Sequence, residues 1–140
     1  MTFCLRLRVR YAECDAQGIV FNARWGDYVD VAVTEYTRAV FGSVDAGMDW
    51  RLVKQTLEWR APARYDEVLD IRVRTVKLGT TSFVLATAFS RGAAELATAE
   101  TVYVVVDPVA GTKRPIPDGG RAALERGAPD VVVDQSGGAR

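Results

Sequence analysis

The chain has 140 residues, 49% apolar and 26% charged, with 18 basic side chains against 18 acidic and a formal net charge of zero. That length fits one domain with a core of its own, and the balanced charge excludes a nucleic-acid binder that works through bulk charge. Histidine is absent, which excludes a Ser-His-Asp or Cys-His catalytic unit and any histidine metal site within one chain.

Residues 3 to 11 alternate: Phe3, Leu5, Leu7, Val9 and Tyr11 fall on one face, and Arg6, Arg8 and Arg10 on the other. This predicts a strand with one buried side. The arginine row reads as a solvated face, with attraction of an anionic substrate as the lesser alternative. The same opening stretch, MTFCLRLRVR, carries arginines where a signal peptide or membrane span needs an apolar run. A cytoplasmic location with no membrane partner is therefore expected.

The stretch YAECDAQGIVFNARW, Tyr11 to Trp25, passes from that strand through Asp15 and Gly18 into the longest helical pattern. Trp25, Val29, Ala32, Tyr36 and Val40 are spaced to share one helical stripe, Asp27, Asp30, Thr34 and Arg38 form a narrower polar one, and Gly42 is a fitting stop. The pattern predicts a largely buried helix over residues 23–41. A carboxylate beside a helix N-terminus is a plausible hydrolytic site, because backbone N–H groups there polarise a carbonyl that the acid attacks or delivers water to. The competing reading of Asp15 is a turn former. Cys14 beside it has no evident base to make a thiolate and reads as filler, and Cys4 and Cys14 alone cannot hold zinc.

Residues 43–51 read as a loop. Alternation resumes from Val53 to Ala61, and Pro62 permits an edge or a bend. Strands are expected at about 68–78, 82–91 and 96–107, joined by connections short enough for antiparallel hairpins. The last two are apolar on both faces and should lie centrally or be covered by another subunit. A strand stub is expected at 112–116 and a short helix over 119–126. Residues 1–127 are expected to form the single domain, and 128–140 a tail with little to bury that frays.

The run Glu-Cys-Asp-Ala-Gln-Gly-Ile-Val-Phe at 13–21, with aromatic residues on the following helix, resembles the hot-dog-fold acyl-CoA thioesterases of the 4-hydroxybenzoyl-CoA thioesterase type. The block Ala63-Arg-Tyr-Asp-Glu-Val-Leu69 and then Thr81-Ser-Phe83 continue the resemblance, which spans residues 5 to about 117. It implies an α+β fold, with an antiparallel sheet of five or six strands wrapped around one long helix. It implies acyl-CoA hydrolysis without metal or cofactor, and a homodimer or homotetramer whose pocket lies between two subunits. Asp15 matches the catalytic carboxylate. The helix start near Phe21 and Asn22 matches the oxyanion donor, at a position where the family carries tyrosine or histidine. A plain helix cap is an equal role for Asn22. Gly18, Phe21, Trp25 and Asp30 match the substrate side of the site, Asp30 with a helix-surface or interface hydrogen bond as its competing role. Gly79, Thr80, Thr81 and Ser82 match a loop near the pantetheine and nucleotide end of CoA, with Lys77 as the only base in view. Glu35 lies too far down the helix to serve as base. The aromatics Tyr11, Phe21, Trp25 and Tyr28 would favour a flat or short acyl group if they line the site. The alternatives are a thioesterase acting on an acyl carrier protein and a non-catalytic acyl-CoA-binding protein.

Overall fold

The computed structural model describes residues 2–42 and 48–138. Residues 43–47 of the loop expected at 43–51 lie outside the described residues, and from Asp49 on the chain is already strand rather than loop. Six strands, β1 (Phe3–Arg8), β2 (Asp49–Trp59), β3 (Val68–Leu78), β4 (Ser82–Arg91), β5 (Ala94–Val106) and β6 (Val132–Gln135), form one sheet in the order β2-β5-β4-β3-β1-β6. Neighbours are antiparallel except β1 and β6, which run parallel. Register shifts at Leu52/Lys54, Thr75/Lys77 and Phe89/Ser90 interrupt the ladders. Each such bulge adds local bend and twist, which lets the sheet curl.

The sheet curls around α1 (Trp25–Phe41), the expected hot-dog arrangement. The predicted stripe is buried in full: Trp25, Val29, Ala32, Tyr36 and Val40 are each at most 5% exposed. They meet alternate residues of the sheet, among them Leu69, Ile71 and Val73 of β3 and Phe83, Leu85 and Phe89 of β4. Trp25 stands edge-on to Phe89 with ring centroids 5.1 Å apart. Gly42 ends the helix in the left-handed region, φ 78°, its N–H closing on the Arg38 carbonyl. A second helix, α2 (Asp118–Arg126), packs against α1 and β3.

Four further expectations change. Tyr11 is 80% exposed and lies in a 3-10 turn at Tyr11–Glu13, because the chain leaves the sheet after Arg8. The arginine row is not simply solvated: Arg6 pairs with Asp70, Arg8 with Asp66, and Arg10 with Glu13. At 112–116 only an isolated bridge, Val106 to Lys113, replaces the expected stub. Past Gly127 the chain carries β6 rather than a fraying tail. The β-branched run Val131–Val133 suits an edge strand, and Arg8 fastens it by donating to the Ser136 and Gly138 carbonyls, each at 2.9 Å.

Candidate active site

The loop that carries Asp15 is closed on itself. Asp15 N–H donates to the Ile19 carbonyl at 2.9 Å, and Gly18 N–H donates back to the Asp15 carbonyl at 3.0 Å. One carboxylate oxygen of Asp15 accepts the Gln17 N–H at 2.8 Å, which orients the side chain while leaving it exposed to solvent. Gly18 makes the reversal at φ 77°, a conformation costly for other residues. The segment before β3 braces the loop from outside. Val20 N–H donates to the Ala63 carbonyl, and Tyr65 N–H to the Gly18 carbonyl.

The loop runs into a 3-10 turn, Asn22–Arg24, that leads directly into α1. Phe21 is its cap residue and Asn22 makes no side-chain cap, so the capping role expected of Asn22 is not the one observed. The Phe21 N–H is also committed, donating to the Glu13 carbonyl at 2.9 Å. Arg24 N–H closes the turn on the Phe21 carbonyl. The first N–H groups of a helix lack intrahelical acceptors, and here those are Asn22 and Ala23. Near Phe21 and Asn22, where an oxyanion donor is expected, the N–H groups of Asn22 and Ala23 are the ones without a backbone acceptor among the described residues.

Sequence reasoning missed Glu13, which is 5% exposed. Its Oε1 accepts the Arg10 N–H and the Tyr28 hydroxyl, both at 2.8 Å, and its Oε2 accepts the Arg10 guanidinium at 2.6 Å. Burial pushes the Glu13 carboxyl up, but these hydrogen bonds outweigh it and hold the group below the usual carboxylate range. The signal was available: a Glu three residues after Arg10, where a short turn begins, is capping-box spacing. Burial, with the neighbouring charges of Glu13 and Asp15, pushes the Cys14 thiol up. That keeps it protonated and agrees with its reading as filler.

The remaining expected site residues divide. Phe21 is half exposed beside Asn22. Trp25 and Tyr28 are 2% exposed and face the core, so neither offers a ligand surface in this chain. Asp30 is exposed on the outer side of α1, its carboxyl pushed up by partial burial and by Asp27. Gly79, Thr80, Thr81 and Ser82 connect β3 to β4 at the far end of β3 from the Asp15 loop. The eleven residues of β3 span roughly 33 Å at about 3.3 Å each. A single chain thus does not bring these four to Asp15. Lys77 is not the only base there, since Arg121 of α2 donates to the Gly79 carbonyl at 2.5 Å. Among the described residues no group of three or more His, Cys, Asp or Glu could hold a metal ion. No helix among them is long and apolar enough to cross a membrane.

A sequence profile of the thioesterase-like superfamily matches residues 9–124, a span that includes both the Asp15 loop and the whole of β3 to β5. The chain belongs to the thioesterase-like superfamily. It is similar to the acyl-CoA thioester hydrolase YbgC of Escherichia coli, 33% identical over 116 residues, covering 79% of this chain and 87% of that one. A hypothetical protein of Aquifex aeolicus superposes with a TM-score of 0.80 at 26% identity, over 87% of this chain and 98% of the other. The 1,4-dihydroxy-2-naphthoyl-CoA thioesterase of Synechocystis shares the fold, with a TM-score of 0.79 at 20% identity over 89% and 96% of the two chains. These similarities support thioester hydrolysis as the reaction class.

Proposed function

We propose that this thioesterase-superfamily protein hydrolyses an acyl-CoA thioester to a carboxylic acid and free CoA at Asp15. The observation that carries the reading is an exposed, oriented carboxylate on the loop that delivers the N–H groups of Asn22 and Ala23, which have no backbone acceptor among the described residues. The thioester oxygen binds those N–H groups, which stabilise the charge it gains as the carbonyl carbon becomes tetrahedral. Asp15 attacks that carbon directly or takes the proton of an attacking water. Direct attack expels CoA thiol and leaves a mixed anhydride. In a single turnover in heavy-oxygen water, label found in the Asp15 carboxylate marks that route, with water opening the anhydride at the aspartyl carbonyl. Phe21, flat and half exposed beside the donors, favours an aryl or short acyl group.

The active unit is a homodimer or a larger assembly built from it. Asp15 and the Gly79–Ser82 connection lie at opposite ends of β3, so one subunit's carboxylate meets a CoA grip supplied by another. The free edge strand β2 leaves Leu52, Val53 and Trp59 between 44% and 59% exposed, apolar surface that a second copy would cover. Arg121 at the Gly79 turn supplies a cation for the nucleotide phosphates, which favours CoA over a carrier protein.

The test is free-thiol release from a panel of acyl-CoAs, from benzoyl to palmitoyl, kept below the micellar range of the long chains. Asp15→Asn should lower kcat by at least about 100-fold with folding intact. No thiol release from any member would favour a non-catalytic acyl-CoA-binding role, and near-wild-type turnover by Asp15→Asn would end the mechanism.

A further inference from the structure

Glu13 joins every piece of the proposed site without touching substrate space. Its carbonyl accepts the Phe21 N–H at 2.9 Å, one residue before the donor Asn22. Its carboxylate, two residues before Asp15, accepts the Tyr28 hydroxyl from the first full turn of α1 at 2.8 Å. The same carboxylate takes the Arg10 backbone and guanidinium, which fix the turn that enters the loop. Tyr28 is itself held edge-on against Trp25, ring centroids 5.8 Å apart, and both rings are 2% exposed. Helix start, loop entry and core are thereby tied at one buried residue.

Resting on the reading of Asp15 and Asn22 as the reacting pair, we propose that Glu13 is a positioning residue. Acting through Tyr28 and Phe21, it sets the separation between the Asp15 carboxylate and the Asn22 N–H. The reaction is sensitive to that separation, since a displacement of about 1 Å at a reacting group costs up to about 100-fold in rate. Substrate affinity is much less so, because the CoA grip at Gly79–Ser82 lies at the other end of β3. The signature is a loss in kcat at nearly constant KM. Glu13 and Tyr28 work through one hydrogen bond, so their losses should not multiply.

Glu13→Gln keeps the shape but turns an amide NH2 toward the Arg10 guanidinium or the Tyr28 hydroxyl. Tyr28→Phe removes only the hydroxyl and leaves the ring in the core. Each should lower kcat by about tenfold with KM within about twofold, and the double variant should lose about tenfold rather than about 100-fold. Turnover is compared on the dimeric or larger enzyme, well below each melting temperature, with Asp15→Asn alongside. If Glu13→Gln does not fold, Tyr28→Phe decides alone. An inactive Asp15→Asn with wild-type kcat in Tyr28→Phe and Glu13→Gln overturns the positioning role and leaves the site reading standing. A rise in KM without loss of kcat, or losses that multiply, overturns it as well. Full turnover by Asp15→Asn instead removes the site reading, and this inference goes with it.

Discussion

The Tyr28 hydroxyl donates to Glu13 Oε1 at 2.8 Å with both residues buried, so the first turn of α1 and the turn before Asp15 form one unit. Burying a carboxylate is costly unless its lone pairs are used, and here Arg10 and Tyr28 use them. The result is a buried ionised group behind the proposed site, and it links the stability of this region to pH.

Glu13 is held below the usual carboxylate range, by hydrogen bonds that outweigh the upward push of burial. A depressed folded value means that the unfolded chain binds the proton more readily. The stabilisation is therefore complete above the unfolded value, near pH 4.3, and is lost as the pH falls through the folded value. Glu13→Gln should lower Tm at pH 7, by the equivalent of about 1–3 kcal/mol. The gap from wild type should narrow below about pH 4. Melting curves at both pH values check this, and a gap that widens on acidification contradicts it.

Arg8 offers a second test, away from the chemistry. One guanidinium donates to the Ser136 and Gly138 carbonyls of the C-terminal segment and to the Asp66 carbonyl, all at 2.9 Å. Asp66 belongs to the segment that braces the Asp15 loop, where Tyr65 N–H holds Gly18. Arg8→Ala should release β6 first, since a four-residue edge strand has few other ties. Amide exchange over 132–136 should quicken by at least about tenfold while the central strand β4 keeps its protection. Unchanged exchange in β6 would show that its pairing with β1 suffices.

The helix and the three-strand meander were legible because they repeat a local pattern. A 3.6-residue stripe marked α1, and alternation with short connections marked β3, β4 and β5. Tyr11 misled because the alternation holds through the buried Val9, while the backbone then enters the 3-10 turn Tyr11–Glu13. Trp25 sat on the buried stripe and beside the site motif at once, and core packing against Phe89 decided between them. Contacts such as Arg121 to Gly79, 42 residues apart, or β6 beside β1, leave no local periodicity to read.

Gly18 tests the loop itself. Its φ is 77°, yet a Cβ built there would meet nothing within 4 Å. The cost of a side chain is therefore conformational and not steric. Gly18→Ala should destabilise by about 1–2 kcal/mol and lower kcat by shifting Asp15. Gly18→Asn should be milder on both counts, because asparagine enters the left-handed region more easily. An alanine variant as stable as the asparagine one would argue against strain at this turn.

The last prediction concerns the two ends of β3. The Asp15 loop is tied to residues 63–67 just before β3, and the connection Gly79–Ser82 follows its final residue, eleven positions on. If a CoA bound at one site touches both, they come from different subunits, and two inactive variants can complement each other. Gly79→Val provides the second lesion. A Cβ at Gly79 would lie 2.9 Å from Ser82 Oγ and 3.3 Å from the Ser82 carbonyl, so the connection must distort. Each homodimer, of Asp15→Asn or of Gly79→Val, should be nearly inactive at low acyl-CoA concentration. Co-expressed in equal amounts, half the dimers are mixed. Each mixed dimer holds one site with both lesions and one with neither. Activity should return to about a quarter of wild type per subunit, the value that two-fold symmetry dictates. Sites contained within single chains would give no recovery on mixing, and that result would return the whole site to one subunit.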